Sequence, residues 1–163
     1  MKALARCRFE ESLGHGKPMV LAADHPAVVE GRTLFPSRAK PAAEHDRLLR
    51  SGQWSRKIGS HVAKGAWTGM PIMTLTLEER ATCPRSCARW RDCYGGNMQW
   101  SPRIQPDAVL MPRLSDELWL LGVTNPRGFV VRLHILGDFY SVEYALFWAS
   151  QLRKIPALRI FGY

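Results

Sequence analysis

The second half of the chain alternates strand and helix patterns so regularly that few folds can accommodate it. "FVVRLHI" (129–135) sets Phe129, Val131, Leu133 and Ile135 on one face and Val130, Arg132 and His134 on the other, the period of two that marks a strand. "SVEYALFWASQLRKI" (141–155) changes the period: Tyr144, Trp148, Leu152 and Ile155 form one helical stripe, with Ser141 as N-cap and Pro156 as the stop. "LRIFGY" (158–163) returns to strand. Upstream, "PIMTLTL" (71–77) alternates Ile72, Thr74 and Thr76 against Met73, Leu75 and Leu77. "LSDELWLLGV" (114–123) predicts a helix capped by Ser115 and acidic in its first turn. Strand, crossover helix, strand, crossover helix, strand is the grammar of a parallel sheet. Parallel strands are usually apolar on both faces. The first two here each keep a polar face, as the inward face of a partly closed barrel would. The expected fold is α/β, a partial parallel (β/α) barrel-like sheet with about three strand–helix units. Function should gather at the C-terminal ends of its strands.

Residues 1–56 lack this rhythm and predict an irregular and helical N-terminal extension to an α/β domain over 57–163. Within the extension, "GRTLFPSRAKPA" (31–42) reads as extended because of its prolines. "PAAEHDRLLRSG" (41–52) reads as a short helix, and "SRKIGSHVAKG" (55–65) as a weaker one capped by Ser55. The chain has 163 residues, no apolar run long enough to span a membrane and no apolar core in its opening residues that would mark a secretory signal, so a cytoplasmic protein is expected. The net charge of +9 is biased towards the first 70 residues, with 12 Lys/Arg against 6 Asp/Glu. That balance is compatible with a nucleic acid or another polyanion as partner.

The unusual segment is "EERATCPRSCARWRDCYGGNM" (78–98), which follows the first strand. It holds Cys83, Cys87 and Cys93, three of the four cysteines. In a reducing compartment, clustered thiols bind metal or react more often than they form disulfides. The spacing C-x3-C-x5-C differs from the paired C-x2-C of zinc modules. A zinc site would also want a fourth ligand, for which Cys7, His61 and His134 are candidates, none of them local. An iron–sulfur cluster tolerates three protein thiolates when a small molecule takes the remaining iron. Either metal predicts that the three sulfurs converge on one point. Arg80, Arg85, Arg89 and Arg91 surround the thiols, where they would lower thiolate pKa or contact a polyanion, unless the loop is simply solvated. Trp90 and Tyr94 would shield a cluster or pack the loop. His134, beside Arg132 on a polar strand face, reads equally as a cofactor contact or as a hydrogen-bonded core histidine. Cys7, alone in an irregular stretch, reads as a free thiol.

The motifs "TLTLEERATCPRSC", "CYGGNM", "RLHILGDFYSVEY" and the closing "FGY" resemble those of the phage and prophage "gene product 88" family of uncharacterised proteins, over residues 57–163. Their layout is also similar to the opening of a radical S-adenosylmethionine enzyme, with a three-cysteine loop after strand one and a Gly-Gly-Glu-type segment after strand two. That resemblance implies a four-iron four-sulfur cluster on Cys83, Cys87 and Cys93. It also implies that Gly137 lets the backbone approach the cofactor and that Asp138 accepts from its ammonium group. Two features depart from that layout: the last cysteine gap is longer than the usual C-x3-C-x2-C, and Leu136-Gly137-Asp138 replaces Gly-Gly-Glu. Such enzymes have about six strand–helix positions in a partial barrel, so this chain is expected to be a fragment or a minimal relative. The competing reading is a basic, zinc-stapled module that binds nucleic acid without catalysis. No catalytic residue is assigned by either.

Overall fold

The computed structural model describes residues 20–55 and 57–162. Its elements are α1 (Pro26–Glu30), β1 (Ala39–Pro41), β2 (Arg50–Ser51), β3 (Ile72–Thr74), β4 (Arg103–Gln105), α2 (Leu110–Thr124), β5 (Phe129–Arg132), α3 (Val142–Lys154) and β6 (Leu158–Phe161). The larger sheet has the order β2-β3-β5-β6. β5 runs parallel to both β3 and β6, and β2 is antiparallel to β3. The expected α/β class with adjacent parallel strands is therefore what the chain forms. A second pair, β1 with β4, is parallel and was not legible in the sequence.

Local chemistry explains where the elements begin. α3 starts as expected: Ser141 Oγ accepts from Tyr144 N at 3.1 Å, Glu143 lies in the first turn, and Arg153 and Lys154 lie in the last. Its stripe needs one correction. Tyr144, Trp148 and Ile155 are buried, but Leu152 is 38% exposed and Gln151 takes the inward position. α2 starts earlier than expected, at Leu110, after Asp107 Oδ1 accepts from Val109 N at 3.0 Å. Ser115 is thus inside the helix and does not cap it.

The helix expected over 41–52 does not form. The amides of Leu48 and Leu49 donate to the Glu117 carboxylate on α2, at 2.8 and 2.9 Å, instead of closing helical turns. Only a single turn at Ala42–Glu44 remains. The stretch 55–65 likewise closes one turn, Ile58 N and Gly59 N both donating to Ser55 O, and goes no further.

Among the described residues, two apolar cores result. The main one packs Leu75, Leu77, Phe129, Val131, Leu133 and Leu158 of the sheet region against Leu110, Leu114 and Leu118 of α2 and Tyr144 and Trp148 of α3. Ala42, Leu48 and Leu49 belong to it. The second core contains Leu21, Ala27, Val28, Leu34 and Phe35, with Trp90 of the cysteine loop packed on it. Among the described residues, no helix is long and apolar enough to cross a membrane.

Candidate functional site

Pairing between the β3 and β5 segments continues past the strand ends. Leu75 N donates to Arg132 O, Ile135 N to Leu75 O, and Leu77 N to Leu136 O, at 3.3, 2.8 and 3.0 Å. The chain after Leu77 and the chain after Leu136 therefore emerge side by side, at the C-terminal ends of two parallel strands. Thr82 joins them: its hydroxyl donates to Glu78 O at 2.9 Å and accepts from Asp138 N at 3.4 Å. Gly137 sits at φ +82, and a Cβ there would stand 2.5 Å from Thr82 Oγ1 and 2.6 Å from Leu77 Cβ. The glycine is thus required by the contact between the two loops, whatever binds beside them. Gly137→Ala is expected to destabilise the protein by about 2 kcal/mol or more, from a left-handed backbone and a filled contact. Urea unfolding measures it, and a variant as stable as the parent would show that the loops do not need this approach.

Cys83 follows Thr82 directly. Cys83, Cys87 and Cys93 are free thiols, each partly buried. Burial pushes Cys83 up to about 11, and the neighbouring Cys93, Cys87 and Asp138 act in the same direction. Burial also raises Cys93, with Glu79 close enough to add to the effect. Tyr94, raised by burial as well, lies within electrostatic reach of Cys93, Arg132 and Cys83, and its hydroxyl donates to Ile135 O. The three thiols and Asp138 are thus neighbours at one end of the sheet. They do not form the converged set that the spacing suggested: among the described residues, no three His, Cys, Asp or Glu side chains stand as ready-made ligands for one metal ion.

The loop is held from below by a buried ion pair that the sequence reading did not single out. Arg103 is fully buried, and its Nε donates to Glu79 Oε2 at 2.7 Å. Its remaining nitrogens donate to Gly95 O, Met98 O and Ser101 O, at 2.9, 3.1 and 2.7 Å. Glu79 accepts in addition from Thr33 Oγ1 at 2.8 Å, and its carboxylate lies against Gly95, where a Cβ would be 3.1 Å away. One planar guanidinium therefore fixes the turn that follows Cys93, with five donors in a rigid fork suited to that task. Nearby, Glu78 accepts from Arg32 Nε, Thr33 N and Gln105 Nε2. The only hint in the sequence is a charged Glu-Glu-Arg directly after the first strand.

The arginines around the thiols are mostly engaged within the protein. Arg80 is buried, with φ +63, and donates to Trp90 O at 2.9 Å and Arg32 O at 3.3 Å. A polyanion contact for Arg80 is corrected accordingly: its guanidinium braces main chain. Arg85 donates to Val28 O and Val29 O, Arg91 to Leu21 O, and Arg89 pairs with Asp92.

His134 lies within electrostatic reach of Asp138. Its Nε2 meets Tyr144 Oη at 3.1 Å, and Phe139 packs edge-on at 5.1 Å between ring centroids. Burial lowers His134 to about 4, opposed by Asp138. The native state therefore keeps His134 neutral while the unfolded chain, near 6.5, takes up a proton. Stability is fully present above about pH 6.5 and falls as pH drops towards 4, by about 3 kcal/mol at most. His134→Gln should flatten that slope in thermal unfolding followed from pH 7 to 4, and an unchanged slope would place the effect on another group. Of the other candidates, His61 bonds Ser60 and bridges to Pro71, at the opposite end of β3 from the thiols. Cys7 lies outside the described residues.

Comparison of the chain with protein-family models, with curated proteins and with solved structures finds no match.

Proposed function

We propose that this is a cysteine-ligated metal protein, with an iron–sulfur centre on Cys83, Cys87 and Cys93 and S-adenosylmethionine as the small molecule recognised beside it, in the manner of a radical-type enzyme. The supporting observation is the joining of the two loops through Thr82, which brings Asp138 to Cys83 at the C-terminal ends of adjacent parallel strands. The donor set suits the group chemically: three free thiols on one braced loop, two of them held protonated by burial, a state that a bound cation reverses. When bound, such a cluster supplies one-electron chemistry. The chain's own residues would ligate, orient and shield it. Asp138 is exposed, with Oδ1 accepting from Phe139 N at 2.7 Å, and offers a carboxylate to an ammonium group. His134, neutral and bonded to Tyr144, backs that carboxylate without adding charge. The resemblance to the gene product 88 family adds a phage or prophage setting, and free thiols suit a reducing cytoplasm. No specific observation favours the zinc-stapled nucleic-acid module, because the loop arginines that suggested it are tied to main-chain carbonyls or to Asp92.

Calorimetry on protein reconstituted anaerobically with iron and sulfide tests the reading. The parent is expected to bind S-adenosylmethionine. Asp138→Ala should keep its iron and lose about 10- to 100-fold in cofactor affinity, the worth of one charge-assisted hydrogen bond. Iron uptake without any cofactor binding would reduce the proposal to a metal protein, and zinc uptake alone would remove the radical chemistry.

A further inference from the structure

Residues 21–35 form the second core and lie directly on the cysteine loop. The contact is made by loop side chains that donate to main-chain carbonyls of this segment. Arg91 Nε donates to Leu21 O at 2.7 Å, and Leu21 N returns a bond to Arg91 O at 3.0 Å. Trp90 Nε1 donates to Val28 O at 3.1 Å, Arg85 Nη1 to Val29 O at 3.0 Å, and Arg80 Nη1 to Arg32 O at 3.3 Å. Two of these carbonyls are in the last turn of α1, a helix of five residues that is too short to persist by itself. Apolar packing of Trp90 on Leu21, Ala27, Val28, Leu34 and Phe35 completes the interface.

The residues that grip this segment are also bonded to the cysteines' own backbone. Cys83 N donates to Arg80 O at 3.2 Å, and Trp90 N donates to Cys87 O at 3.0 Å. Arg80 holds its bridge to the segment from a left-handed backbone, φ +63, which a non-glycine residue keeps only when its surroundings enforce it. Moving the cysteines therefore moves Arg80 and Trp90, and releasing the segment frees them.

We infer that residues 21–35 are a clasp whose docking is coupled to metal loading of Cys83, Cys87 and Cys93, each strengthening the other. The inference rests on the proposed thiol centre and adds its regulation. Drawing the three sulfurs onto one metal would fix the loop and, through the backbone bonds of Cys83 to Arg80 and of Trp90 to Cys87, hold in place two of the residues that already grip the clasp. By linkage, whatever the metal adds to docking, docking adds to metal affinity. Release of the clasp would then loosen the centre, giving the protein a built-in means of accepting or surrendering metal.

The test uses the full chain and cobalt(II) alone, whose sulfur-to-metal absorption reports thiolate ligation. Hydrogen exchange at Leu21, Val28 and Val29 is expected to slow about tenfold on saturation with cobalt(II). Arg91→Ala and the milder Leu21→Ala, each weakening docking, should bind cobalt(II) about tenfold more weakly while α3 amides exchange as in the parent, which shows that the domain is intact. Cobalt(II) binding with unchanged exchange in the clasp overturns the coupling and leaves the thiol centre standing. So does parental affinity in both variants. A parent that takes up no cobalt(II) removes the thiol centre and the coupling with it.

Discussion

Glu79→Ala is expected to destabilise the protein by about 3–5 kcal/mol, because it strands the Arg103 guanidinium without its carboxylate in a fully buried site. Thr33 Oγ1 would lose its acceptor in the same change. The loss should be read first in the loop, since Arg103 also holds Gly95 O, Met98 O and Ser101 O. Exchange at Gly96 and Met98 amides, which close the turn after Cys93, should quicken before the sheet opens. The pair is expected to be coupled. Removing both charges, in Glu79→Leu with Arg103→Met, should cost less than the sum of the single changes, because neither ion is then left buried alone. Urea unfolding of the four proteins closes the cycle. Additive effects, or a Glu79→Ala variant within about 1 kcal/mol of the parent, would show that this pair does not carry the loop.

The second large effect concerns the thiols. Cys83→Ala, Cys87→Ala and Cys93→Ala are each expected to weaken metal retention by more than about 100-fold, beyond the loss usual for a residue that merely supports a ligand. Cys7→Ala should retain metal like the parent. The apo forms give an internal control. The partly buried Cys83 is protonated at neutral pH without a cation, so Cys83→Ala should hardly alter apo stability at constant ionic conditions, beyond the small loss of packing. Equal retention in all four variants would disconnect the cysteine spacing from metal.

What was legible in the sequence follows from how local its causes are. The period-two run at 129–135 and the Ser141-capped stripe at 141–155 are set within a few residues of themselves, and β5 and α3 formed there. The helix expected over 41–52 failed for a distant reason: Glu117, on α2, takes the Leu48 and Leu49 amides. No local pattern announces such a partner. The same holds for the site. The clustering of three cysteines was visible, and so was Asp138 at the end of the next parallel strand. Glu79, Arg103 and Thr33 were not, since they meet only after β1 pairs with β4 and the loop folds back on the second core. The arginines depend on the fold for a related reason. Their number suggested a surface for polyanions, yet an arginine can equally serve as a multiple donor to carbonyls, and only the fold distinguishes the two uses.

The loop after β3 is proposed to hold metal through Cys83, Cys87 and Cys93. X-ray absorption at the metal K-edge, on protein loaded anaerobically, tests it most directly. Sulfur scatterers from all three cysteines are expected at about 2.3 Å, lost in part when any one of them is replaced. A metal surrounded only by nitrogen and oxygen, or a sulfur shell unaffected by the three replacements, would contradict it.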